Sequence, residues 1–175
     1  DNASTDDSVA FIKKNFTSVK IIHNTENWGF AKGYNKALQN IKADVYALVN
    51  SDIQVTPNWL TPIRKHFKEN PETAIVQPKI LDYKQKTYFE YAGAGLFIRS
   101  NVFHELKGFD IDFYAHQEEI DLCWRAQNLN YTIAYVGTTS IYHVGGATLD
   151  NFHWKKTFLN FRNSLYNLVK NAPDN

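Results

Sequence analysis

Val45-Tyr46-Ala47-Leu48-Val49-Asn50-Ser51-Asp52 is the stretch that decides how this chain is read. Five apolar residues in a row predict a strand covered on both faces, and the run stops abruptly at three polar, turn-forming residues. Upstream, Tyr34, Ala37, Leu38 and Ile41 recur at helical spacing and predict a helix over 30–41. A loop over 24–29 precedes it. Before that come a β-branched segment at 19–22, expected as a strand, and a short helix carrying Val9, Phe11, Ile12 and Phe16. Downstream, Thr56-Pro57 signals a helix running to about Asn70. Short strands follow at 74–76 and 96–98, and then a helical turn at 101–106 stopped by Gly108. A helix at 118–127, strands at 132–136 and 141–143, and a long amphipathic helix at 154–169 complete the pattern. Strands alternating with helices predict an α/β fold with a mostly parallel central sheet flanked by helices. In such sheets ligands bind at the carboxyl ends of the strands, so polar residues directly after buried strands carry the interest.

Composition narrows the classes. With 175 residues, 43% hydrophobic and 15% aromatic, the chain suits one domain over 1–175 and excludes disorder. Lys and Arg total 19 against 18 acids, a net charge of +1, which favours neither nucleic acid nor an anionic membrane as the main partner. Cys123 is the sole cysteine, so no internal disulfide forms, and its neighbours Leu122 and Trp124 predict a buried thiol in a reducing compartment. No apolar run approaches the roughly 20 residues of a membrane span. The chain opens at Asp1 and contains no methionine, which leads to the expectation that it is part of a longer polypeptide.

Three groups of residues carry candidate chemistry. Asn50, Ser51 and Asp52 either close a turn or place Asp52 to hold a hard divalent cation, which prefers oxygen ligands and keeps waters and substrate phosphates. Glu118, Glu119 and Asp121 crowd the start of a helix. They decorate its positive end, or their mutual repulsion raises one pKa enough to make a general base. Asp121 and Arg125 form an i,i+4 pair, whereas no Lys or Arg stands three or four residues from Glu119. His143 lies at the end of a β-rich run and is either a packed, hydrogen-bonded residue or a ligand, since Gly145-Gly146 beside it permit close approach of a phosphate or a mobile loop. Gly93-Ala94-Gly95 is a weak glycine signal, and the histidines at 23, 66, 104, 116 and 153 lack metal-ligand spacing. A nucleophile elbow for Ser/His/Asp hydrolysis is missing.

Eight stretches resemble, in order, a family 2 glycosyltransferase of the GT-A fold, in its bacterial rhamnosyltransferase-like branch. They are Asp1-Asn2-Ala3-Ser4-Thr5-Asp6-Asp7-Ser8, Asn27-Trp28-Gly29-Phe30-Ala31-Lys32-Gly33-Tyr34-Asn35, Asn50-Ser51-Asp52-Ile53 and Ala94-Gly95-Leu96-Phe97-Ile98-Arg99. Gly108-Phe109-Asp110, Glu118-Glu119-Ile120-Asp121-Leu122-Cys123-Trp124-Arg125, Tyr142-His143-Val144-Gly145-Gly146 and Asn160-Phe161-Arg162-Asn163-Ser164-Leu165 close the series.

The resemblance implies an inverting, metal-dependent transfer of a sugar from a nucleotide-diphosphate donor to an acceptor hydroxyl, in polysaccharide or glycolipid synthesis. It matches Asp1 to the acid that contacts the donor's base or ribose, and Gly29, Lys32 and Asn35 to the segment lining the nucleotide site. Asn50 opens the DXD-like motif, and Asp52 matches the acid that binds Mn²⁺ or Mg²⁺ across the diphosphate. Glu119 aligns with the catalytic base, flanked by its rivals Glu118 and Asp121, and His143 with a position that reaches the metal or diphosphate. The implied partners are the donor and a saccharide or lipid-linked acceptor, without nucleic acid. The implied setting is cytoplasmic, extending to peripheral association with the inner face of the membrane. The same resemblance leads to the expectation that an N-terminal strand-helix-strand and a loop near 92–95 are omitted. Two other readings stand beside it: a sugar-nucleotide-binding protein without catalysis, and a nucleotidyltransferase on a similar scaffold.

Overall fold

The computed structural model describes residues 1–83, 93–144 and 154–173. Along the chain run α1 (Ser8–Asn15), α2 (Gly29–Leu38), β1 (Val45–Val49), β2 (Ile53–Val55), α3 (Leu60–Glu69) and β3 (Thr73–Asp82). They are followed by β4 (Gly95–Arg99), α4 (Ser100–Glu105), a 3-10 turn (Ile111–Phe113), α5 (Glu118–Asn128), β5 (Thr132–His143) and α6 (Trp154–Asn171).

The strands form one sheet in the order β1-β4-β3-β5-β2. Among the described residues only β3 and β5 run parallel; β1–β4, β3–β4 and β2–β5 are antiparallel. The α/β class is as the sequence predicts, but the sheet is mixed rather than mostly parallel. Hydrophobic runs reveal that strands are buried, not which way their neighbours point, and β4 and β2 enter reversed.

The main core lies on one face, where Leu38, Tyr46, Leu48, Ile75, Leu96, Ile98, Phe103 and Leu122 pack together. On the other face Ile63 and Phe67 of α3 cover Val76, Phe97 and Val136. Three local expectations differ. Residues 19–22 form no strand, for among the described residues no strand lies alongside to take their backbone hydrogen bonds. β1 buries Tyr46 and Leu48 but leaves Ala47 exposed, because β1 ends the strand order. Helix α3 starts at Leu60 rather than at Pro57, since Thr56 donates its hydroxyl to the Ser140 carbonyl of β5 (2.9 Å) instead of capping the helix.

β5 has the largest consequence. The sequence predicts two strands at 132–136 and 141–143; the structure joins them through a bulge. Pro78 faces Val136 and the next residue, Lys79, faces Ser140, so Gly137, Thr138 and Thr139 stand out of register. The bulge re-aims the strand so that Ile141–His143 pair with both β3 and β2.

Candidate functional site

Strand pairing builds the first half of the site. After β1 the chain turns, with Asn50 donating its N–H to the Ala94 carbonyl (3.0 Å). β2 then pairs with the end of β5, setting Ile53 opposite His143, and Val144 N–H donates to the Asp52 carbonyl (2.9 Å). The Asp52 carboxylate therefore stands 3.3 Å from His143 Nε2, with the side chains 15% and 20% exposed. An oxygen and an imidazole nitrogen side by side at a strand end suit a divalent cation that takes its other ligands from phosphate and water. Among the described residues no group of three or more His, Cys, Asp or Glu gathers into a complete cage. The donor set thus fits a shared site, completed by a ligand. Gly145 and Gly146, read as a phosphate approach, and the expected join at Ala92 lie outside the described residues, as does His153.

Tyr34 on α2 ties this corner to the acidic helix. Its hydroxyl donates to the Val49 carbonyl (2.8 Å), while burial and the charge of Glu118 push the phenol up to about 12. The end of β1 and the start of α5 therefore face one locus, an arrangement the sequence reading missed. Tyr34 stood only as a helical apolar position, and nothing in a periodicity marks its hydroxyl.

The three carboxylates of α5 separate sharply. Asp121 is fully buried, accepts from Arg125 Nε (2.7 Å) on one oxygen and from Asn171 (2.9 Å) on the other. Arg125 also donates to the carbonyls of Leu106 (2.6 Å) and Gly108 (2.9 Å), so the pair fastens α5 to the α4 turn and to α6. Glu118 is buried with Oε2 lacking a hydrogen-bond partner among the described residues, and burial plus the charge of Glu119 push its pKa up to about 8. Glu119 is partly exposed beside it.

A pH consequence follows for Glu118. In the unfolded chain it loses its proton near 4.5, in the folded protein near 8. The folded state binds more protons between those values, so its contribution to stability falls as pH rises from about 4.5 to 8 and then levels off. Glu118→Gln is expected to remove that slope. Its melting temperature should equal the parent's near the lower pH and exceed it above the upper one. Thermal melts across a pH series check this, and parallel curves for the two proteins would refute it.

The loop ahead of α5 is strained. Tyr114, His116 and Gln117 all have positive φ, at 63°, 69° and 67°. Its conformation is imposed from α6. Asn163, buried, donates to the carbonyls of Phe113, Ala115 and His116 (3.1, 2.9 and 2.6 Å), and Gln117 Nε2 reaches the Asn160 carbonyl (3.0 Å). Arg162 donates to the carbonyls of Asp112 and Phe113. These positioning residues escaped the site reading, although Asn163, Asn167 and Asn171 recur every four residues and mark a buried polar stripe.

The start of α2 packs on the same loop, at Tyr114. The Asn2 amide accepts from Asn24 and Trp28 N–H and donates to Asn27 and the Gly29 carbonyl, closing the turn onto α2. Asp1 holds His23 Nδ1 at 2.6 Å. Gly29 has φ +72°, and a Cβ there would stand 2.7 Å from the Tyr114 ring. This glycine lets α2 begin against that ring, with Phe30 N–H donating to the Tyr114 carbonyl (2.9 Å). Lys32 lies 5.0 Å and Lys36 3.7 Å from the Trp28 ring centroid, a cationic patch on the same helix. On the same helix the Asn35 amide exchanges hydrogen bonds with both backbone groups of Phe109 (2.7 and 2.9 Å). Gly95 packs directly on Ile141, so the Gly93-Ala94-Gly95 signal is one of close packing.

This fold is that of GT-A glycosyltransferases. The chain overlays on mannosyltransferase PcManGT from Pyrobaculum calidifontis, solved with GDP-Man and Mn²⁺, at TM-score 0.75 and 14% identity, covering 100% of this chain and 54% of that one. It overlays on S. aureus TarS 1-349 at TM-score 0.73 and 14% identity, covering 99% and 56%. GalNAc-T7 with UDP, GalNAc and Mn²⁺ gives 0.72 and 12%, over 94% and 40%. By sequence, residues 1–125 match the profile of Glycosyl transferase family 2, and the chain belongs to that family. A Pre-mycofactocin glycosyltransferase of Mycobacterium tuberculosis is 24% identical over 89% of this chain, which spans 38% of that relative's length. No helix among the described residues is long and apolar enough to cross a membrane.

Proposed function

We propose that this chain carries the donor site and base of an inverting glycosyltransferase, which moves a sugar from a nucleotide-diphosphate donor to an acceptor hydroxyl of a polysaccharide or glycolipid. The observation that carries the reading is the Asp52–His143 pair, 3.3 Å apart at a strand end and linked through Tyr34 to the Glu118–Glu119 corner. Asp52 and His143 would hold Mn²⁺ or Mg²⁺, which when bound offsets the charge growing on a diphosphate leaving group. Asn50 shapes the turn ahead of Asp52, while Asp1, Gly29 and Lys32 line the side offered to the nucleotide.

An acceptor hydroxyl is a poor nucleophile until a positioned carboxylate takes its proton. Glu119 is the group for that step. Glu118, pushed up to about 8, keeps its proton at neutral pH and leaves a single negative charge at the corner. One displacement with one base gives inversion.

The test is a thermal-shift screen of nucleotide sugars with and without Mn²⁺. One donor should raise the melting temperature only when metal is present, and chelation should abolish the shift. A metal-independent shift would overturn the shared site. Donor binding without turnover to any acceptor or to water would favour a binding protein that has lost catalysis.

A further inference from the structure

The loop between the 3-10 turn and α5 divides its backbone carbonyls among three helices. Those of Phe113, Ala115 and His116 accept from the Asn163 amide of α6 (3.1, 2.9 and 2.6 Å). That of Tyr114 accepts from Phe30 and Ala31 N–H at the start of α2 (2.9 and 3.3 Å), and that of Gln117 from Asp121 N–H in the first turn of α5 (3.0 Å). Every carbonyl from 113 to 117 thus has a partner on a helix. Positive φ at Tyr114, His116 and Gln117 accompanies this alternation, and such backbone persists only where its surroundings over-determine it. The α6 share of that restraint comes mainly from one side chain. Asn163 is fully buried, and Arg162 Nε donates to its Oδ1 (2.9 Å), which turns the amide nitrogen toward the loop. To hold it there, α6 buries Leu159, Asn163, Asn167 and Asn171 and leaves Phe161 and Leu165 73% and 63% exposed, the reverse of an ordinary surface helix. Helix α6 also lies outside residues 1–125, the part that matches the family profile.

We propose that Asn163 is a positioning residue for sugar transfer: its amide fixes the loop where the donor-side helix α2 meets the base-bearing helix α5, and so holds Glu119 in place relative to α2. The inference rests on the transferase reading above. Without the clamp, three buried carbonyls lose their donor and the loop relaxes, carrying the first turn of α5 with it. Helix α2 keeps a separate hold through Asn35 on Phe109, so the donor side stays where it is. A misplacement of about 1 Å between reacting groups is enough to slow a reaction about a hundredfold, without weakening the binding of either substrate.

Two measurements on the full protein test this. Amide hydrogen exchange over residues 113–118 reads the clamp and needs no substrate. Release of nucleoside diphosphate, from the nucleotide sugar that gives the metal-dependent melt shift, reads turnover. Asn163→Ala should speed the exchange and lower kcat about tenfold or more, with donor Kd unchanged. The rate is taken per donor-binding site, counted by calorimetry, so a smaller folded fraction does not mimic the effect. Arg162→Gln, which frees the amide to turn, should act in the same direction and serves if Asn163→Ala does not fold. Leu165→Ser, on the exposed side of the same helix, should change neither reading. Unaltered exchange, an unaltered rate per site, or an equal loss in Leu165→Ser overturns the proposal. So does a donor affinity that falls in step with the rate. Failure of the transferase reading shows separately, as a parent protein that binds no nucleotide sugar, and the inference then falls with it.

Discussion

Glu119→Gln is expected to lower the rate of sugar transfer by about a hundredfold or more while donor affinity stays nearly unchanged. The amide fills the same space but cannot take the acceptor's proton. The neighbouring carboxylates give the contrast that makes the result interpretable. Asp121 sits fully buried between Arg125 and Asn171, and breaking a buried ion pair from one side costs about 3–5 kcal/mol. Asp121→Asn should therefore lower the melting temperature markedly, a loss of fold rather than of chemistry alone. Steady-state transfer assays alongside thermal melts separate the two. Should Glu119→Gln keep its rate while Asp121→Asn loses activity without unfolding, the roles must be exchanged.

Asp52→Asn is expected to abolish metal-dependent donor binding and to leave the fold intact. The carboxylate stands 3.3 Å from His143 Nε2, and an amide oxygen is a far weaker ligand for a hard cation. The β2–β5 pairing that presents the residue runs through backbone groups, including the Asp52 carbonyl, and does not depend on the carboxylate. Donor titration by calorimetry with and without Mn²⁺ reads the effect. Unchanged affinity in the variant would remove Asp52 from the metal site and with it the shared-ligand account.

The pH behaviour of Glu118 belongs to the same corner. A protonated neighbour keeps the charge on Glu119 from being doubled, so the corner holds one base instead of two repelling acids. The crowding of three acids in four residues announced that some pKa would rise. Burial decided which one.

Local spacing alone determined a good part of this molecule. Periodicity identified α2, α5 and α6, the apolar runs marked β1 and β4, and i,i+4 spacing paired Asp121 with Arg125. Each of these rests on residues within about one helical turn or one strand of each other, where sequence distance and spatial distance agree. The ordered motifs likewise pointed to the family that the profile match over residues 1–125 establishes.

Long-range packing decided the rest. The directions of β2 and β4, the bulge at 137–139 that carries His143 to Asp52, and the failure of residues 19–22 to form a strand all depend on which strand lies alongside. A hydrophobic pattern names a buried face but not its partner or register. The fate of each acidic side chain turned on what covers it: Arg125 and Asn171 over Asp121, apolar surroundings and Glu119 around Glu118. Helix α6 carries the same lesson furthest, since its amphipathicity is plain in the sequence while its orientation is not. The Asn163 amide found three backbone carbonyls 47 to 50 residues away in the loop before α5, and that local satisfaction turned the apolar stripe outward.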